Sequence, residues 1–249
     1  MKITASITEL AHLEQLRQGM QRHRIQMGNR IAAIERGDSD GNADVAQHFA
    51  ERFGSIENDI AAMIADSVKD HPAYPWLDAV KGIGPGLSGA LLAPIDIRRA
   101  NSISALWRYA GQGVNGEGER DRPRKGEKLP YNAGLKKTCY LIGTSFMRAG
   151  SPYRAEYDQA KEFYTVNRPD WTKGHCDMAA KRKMIKMFLS HLWIVWRDAE
   201  GLPLSAPYAA QHLGHDGIVP PWQYVPDFEY SYALREHYAQ VSRLAVDAK

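Results

Sequence analysis

Apolar residues in this chain recur three or four positions apart over most of its length, and no convincing alternating apolar–polar run exceeds four residues. The first spacing marks one face of an α-helix, and alternation would mark a half-buried strand. A chain with only the helical period satisfies its backbone hydrogen bonds locally, so the fold expected is all-α. Its 249 residues suffice for one or two domains with a sizeable core. A hydrophobic content of 44% and a charged content of 24% exclude a mainly disordered or fibrous chain. The longest apolar run, around Phe188–Trp196, is interrupted by Ser190 and His191 and falls short of the ~18 residues of a membrane span. The start, MKITASITEL, lacks the apolar segment of a signal peptide. Two cysteines, Cys139 and Cys176, make no disulfide framework, so the expected location is the cytoplasm.

Three regions are expected. Residues 1–72 read as a long helical hairpin, or coiled coil. Leu13, Leu16, Met20, Met27 and Ile34 form one stripe, and Val45, Phe49, Phe53, Ile56, Ile60, Met63 and Val68 form the other. The polar run Gly37–Asn42 supplies the turn between them. Apolar surface left open after closure makes residues 8–68 the expected seat of a homodimer. His71-Pro72-Ala73-Tyr74-Pro75 ends the second helix, because proline cannot continue it. Residues 73–200 read as a compact domain of shorter helices, and 201–249 as a Pro-rich tail with one last helix packed on the core.

The motif that carries chemistry lies at 76–92, Trp-Leu-Asp-Ala-Val-Lys-Gly-Ile-Gly-Pro-Gly-Leu-Ser-Gly-Ala-Leu-Leu. It reads as a helix-hairpin-helix. Gly82 and Gly84 flank the apolar Ile83, and Pro85 opens a helix, where its fixed φ is favoured. Glycine lets a phosphate approach the backbone, and a helix N-terminus attracts it. Lys81, Gly82, Gly84, Gly86 and Ser88 are therefore candidate phosphate-binding residues. Such a turn grips the backbone without reading bases. The stretch lacks the Gly-Lys-Ser/Thr ending of a P-loop.

Charge is distributed unevenly. Glu119–Lys137 holds seven basic and three acidic residues, a net +4, and Arg168–Arg197 holds seven and two, a net +5. Both exceed the whole-chain +3, so the rest is acidic, and an anionic partner is favoured. Arg120, Arg122, Arg124, Lys125 and Lys128 would line a loop along a nucleic-acid backbone. Lys136 and Lys137 sit in the first turns of the next helix, and Arg182, Lys183 and Lys186 lie off the apolar stripe of a later one. His175-Cys176, His191, His212 and His215 lack a known zinc spacing, so no metal or cofactor is expected. The late aromatics, including Tyr153, Tyr157 and Tyr164, read as core.

These segments together resemble the C-terminal transposase domain of the DEDD-type insertion-sequence transposases, the IS-one-ten group. The resemblance runs from Gly82 to about Trp196. It lies in GIGPGLSGALLAPID, in LWRYAG at 106–111, in GERDRPRKGEKLPYNAGLKK at 118–137 and in TKGHCDMAAKRKMIKMFLSHLW at 172–193. It implies nucleic-acid binding in DNA transposition and recombination on a mobile element, with DNA or a structured guide RNA as ligand. The hairpin before it resembles the family's dimerising coiled coil. Two elements of the family find no match. Its resolvase-like domain, with four metal-binding carboxylates, is expected to be absent. Its serine nucleophile has no counterpart in Gly111–Gly118, which contains no serine. No catalytic residue is assigned. The expected function is a nucleic-acid-binding protein, cytoplasmic and nucleoid-associated, with the family's catalytic elements unmatched and its enzyme status open. The alternatives are a recombinase that borrows a partner nuclease and a regulatory module that binds protein instead.

Overall fold

The computed structural model describes residues 9–114, 125–205 and 219–247, the last five of these by backbone alone. The described residues are helical, with no strand among them. Nine α-helices are described: α1 Leu10–Glu35, α2 Ala43–Ser67, α3 Tyr74–Ala79, α4 Pro85–Leu92, α5 Ile103–Tyr109, α6 Ala133–Ala149, α7 Arg154–Asn167, α8 Lys173–Ala199 and α9 Tyr232–Asp247. None is long and apolar enough to cross a membrane. Several starts are capped by a side chain, as their sequences favour. Ser102, Asn132 and Thr172 accept from the backbone N–H of Ala105, Leu135 and His175. The described residues divide into two compact units: 9–71 with Ser88–Pro94, and Pro72–Leu87 with those from Ile95 onward.

In the first unit α1 and α2 pack along one another, joined by residues 36–42. Their contact is partly ionic. Glu57 of α2 is buried and accepts from Gln21 at 3.0 Å and Arg24 at 2.8 Å, both on α1. Most of the apolar burial lies where α1 begins and just around the end of α2, at Leu10, Leu13, Ile60, Ile64 and Val68, with Ala46 buried near the other end. Further along, Leu16, Ile25, Val45, Phe49 and Ile56 remain exposed. At Gly89 a Cβ would stand 2.2 Å from the Ile64 γ2 methyl. Only a hydrogen fits there.

In the second unit α8 is the central element. His191–Arg197 is buried on every side, as expected of a helix wrapped by others. Phe188 stacks on Trp76 and meets Phe146 and Tyr153 edge-on, with centroids 5.8, 5.2 and 5.6 Å apart. The late Tyr224 stacks on Tyr153 at 4.5 Å, and Trp76 donates to the Tyr230 hydroxyl. The polar groups brought in with these rings are paired. Trp107 donates to Lys186 O and Trp193 to Ala100 O, while Arg197 donates to Ile97 O and Pro203 O.

His191 sits in this core between the Tyr153 hydroxyl, 2.7 Å from Nδ1, and Val219 O, 2.8 Å from Nε2. The carbonyl only accepts, so Nε2 carries the proton and Nδ1 accepts from Tyr153. Burial holds the imidazole down at about 4, below its ordinary 6.5.

Two outcomes follow from this packing. Gly89→Ala lowers unfolding free energy by about 1–3 kcal/mol in urea titration. Ile64→Leu, which deletes the γ2 methyl, recovers part of that loss. The second concerns pH. A histidine buried neutral stabilises fully above its unfolded pKa, and the effect fades as pH falls from 6.5 towards 4. The loss over that window is roughly 3 kcal/mol. Thermal unfolding at stepped pH reads it, and a flat profile there would contradict the assignment.

Candidate nucleic-acid interface

Two places in the second unit combine cations or open glycines with a constrained backbone. The first is the α3–α4 turn. Gly82 has φ of +100°, and a Cβ on it would lie 3.2 Å from the Ala149 methyl and 3.4 Å from Phe146. The Ser145 hydroxyl donates to Gly82 O. Gly82 is therefore dictated by conformation and by packing on the end of α6. Gly84 and Gly86 are exposed, with nothing within 4 Å of a Cβ on either. Lys81 is exposed beside them. Ser88 differs from the expectation. It is fully buried and its hydroxyl has no partner, so it does not reach a solvent-borne phosphate.

The second place joins the 111–113 turn, the start of α6 and the first half of α8. Gly111 has φ of +67°, and a Cβ there would come 2.8 Å from Lys136 Cδ. A Cβ on Gly113 would come 2.9 Å from the Arg108 Cα. The Arg182 guanidinium donates to Gln112 O at 3.0 Å and Gly113 O at 2.6 Å. Arg182 thus holds the turn onto α8 as well as bringing charge. A cleft of about 160 Å³ opens here, lined by Gln112, Lys136, Tyr140, Met178, Lys181 and Arg182 over Cys139, Gly143 and Ile185.

The electrostatics are one-sided. Neither α6 nor α8 carries an acidic residue in its first turn. Carboxylates are favoured at such ends, and α6 has Lys136 and Lys137 instead. Lys136 lies over the Tyr131 ring at 4.1 Å, and Lys186 over Trp107 at 3.9 Å. Burial, followed by the like charge of Arg182, pushes Lys186 down to about 8. Lys181 pairs with Asp177 at 2.8 Å. That carboxylate also accepts from Tyr157 and is held below its ordinary value, chiefly by the hydrogen bond from Lys181. Lys125, Lys128, Lys137 and Lys183 are exposed.

The two places are distinct. The first packs on Ser145–Ala149 and the second on Lys136–Gly143 of the same helix. From Lys136 to Ser145 is about 14 Å along the axis at ~1.5 Å per residue. Arg120, Arg122 and Arg124 lie outside the described residues, as do His212 and His215. Among the described residues no three His, Cys, Asp or Glu side chains converge as a metal site. The sequence analysis did not single out Tyr140 and Gln112 as site residues, and it entered the basic stretch of α8 through Arg182, Lys183 and Lys186.

The glycines separate by substitution. Gly111→Ala destabilises by about 1–2 kcal/mol from the left-handed backbone alone, with a further loss from displacing Lys136. Gly86→Ala, in open space within α4, is neutral or stabilising by up to about 1 kcal/mol. Urea titration of both variants checks the contrast. No family model, curated protein or solved structure matches the chain.

Proposed function

We propose that this protein binds nucleic acid through its phosphate backbone and is related to the insertion-sequence transposases of the IS-one-ten group. The observation that carries the reading is the gathering of Lys136, in the first turn of α6, with Lys181 and Arg182 of α8 around one cleft, and of Lys186 one turn beyond Arg182. Lysines and arginines that neutralise phosphates release counterions and supply sequence-independent affinity. The exposed Lys125, Lys128, Lys137 and Lys183 extend the footprint. In this reading α3, the Gly82 turn and α4 act as a helix-hairpin-helix, with Lys81 and the backbone of Gly84 and Gly86 on a further phosphate. Arg120, Arg122 and Arg124 add to it by their charge.

The same reading makes α1 and α2 a dimerising hairpin. Val45, Phe49 and Ile56 recur at helical spacing and are exposed, which supports self-association. A homodimer would present two phosphate-binding surfaces. DNA and structured RNA share the chemistry required. Gly111–Gly118 offers no serine for strand transfer, so the reading is of a binder. A recombinase working with a partner nuclease is the enzyme alternative. The exposed apolar face of α2 is also what a protein-interaction module would carry.

Lys125→Gln and Lys183→Gln test the proposal, since both side chains are exposed. Each should weaken binding to duplex DNA and to structured RNA alike. Each should also reduce the slope of log K against log salt by about 1. An unchanged slope in both would remove these residues from the footprint. Cleavage by the purified protein, abolished by one serine or tyrosine substitution, would favour the recombinase.

A further inference from the structure

We infer that the cleft between α6 and α8 receives a single unpaired nucleotide, a proposal that rests on the nucleic-acid reading above. Its size comes first. At about 160 Å³ it lies well below the roughly 300–1,000 Å³ of pockets that enclose a whole small-molecule ligand. It suits one part of a longer molecule whose remainder lies outside. Its lining comes next. Cys139, Gly143 and Ile185 are buried and form an apolar floor. A phosphate would lose hydration against such a floor and is better held at the rim, where Lys136, Lys181 and Arg182 stand. A nucleobase presents an apolar, polarisable face to it and keeps its polar edge outward.

The mouth has the complementary character. Lys136 and Tyr140 lie one turn apart on α6, as Met178 and Arg182 do on α8, so each helix presents one ridge to the cleft. Tyr140 is 53% exposed and Met178 is 45% exposed, so both side chains can be reached from solvent at the mouth. An aromatic ring at the mouth offers a stacking partner that any base can use. Lys136, Lys181 and Arg182 line it and bring positive charge to the flanking phosphates, although Lys181 also pairs with Asp177 and Arg182 with the 112–113 carbonyls. Gly143 packs against Ile185 and Met184, where a Cβ would make ordinary contact at 3.4–3.5 Å. A paired base cannot enter so small a cleft without leaving its duplex. Single strands, bulges and strand ends are therefore the substrates.

The experiment compares three probes of equal length at one salt concentration: oligothymidine, oligouridine and a fully paired DNA duplex. Fluorescence anisotropy reads the affinities. The single strands should bind more tightly than the duplex, and the tighter of the two identifies the natural backbone. Tyr140→Ala should cost the single strands about tenfold and leave the duplex unchanged, while Tyr140→Phe keeps the wild-type preference. Met178→Glu, which sets a negative charge at the mouth, should reproduce the selective loss independently of Tyr140. Equal affinity for strand and duplex, indifferent to both Tyr140→Ala and Met178→Glu, would overturn the cleft and leave phosphate binding standing. No salt-dependent binding to any probe would overturn both.

Discussion

The second half of α8 is enclosed on all sides, and the larger unit is organised around that enclosure. A helix whose residues 191–197 are all buried has no face left for water, so neighbouring segments must cover it and satisfy its polar atoms. Trp193 and Arg197 do this by reaching the carbonyls of Ala100 and of Ile97 and Pro203. Trp107 ties α5 to the carbonyl of Lys186. His191 donates to the carbonyl of Val219. Each tie is an indole, guanidinium or imidazole donor meeting a main-chain acceptor inside an apolar core, where an unmet partner would be costly.

The first half of the same helix has the opposite character. Lys181, Arg182, Lys183 and Lys186 fall within two turns, and the apolar side is kept by Cys176, Ala180, Met184 and Ile185. One rigid rod thus anchors in the core at one end and carries like charges at the other. Lys186 sits at the junction, partly desolvated against Trp107, and its charge is held at a cost. In the proposed reading, a phosphate arriving there would relieve the repulsion from Arg182.

The helical fold was legible in the sequence because two signals agreed: the apolar period, and the breaks at Pro72 and Gly82. Burial along each helix was less legible. Periodicity identifies the apolar face and is silent on how much of it a neighbour covers. Val45, Phe49 and Ile56 share a stripe with the buried Ile60, yet stay exposed. Met178 reads as part of the apolar stripe of α8 and lies at the mouth of the cleft. Ser88 reads as open and is buried. The candidate site was half legible. Its charges stood out in the sequence, but the bond from Arg182 to the 112–113 carbonyls joins residues some seventy positions apart, and no local pattern encodes it. The cleft depends on the same long-range contact.

The most direct test of the account is what the protein carries when purified gently at low salt. Its absorbance ratio at 260 and 280 nm, with sequencing of whatever accompanies it, reads this in one preparation. The account predicts co-purifying nucleic acid that is released as salt rises. A clean preparation that also ignores added duplex DNA, single strands and structured RNA would contradict it and turn attention to protein partners.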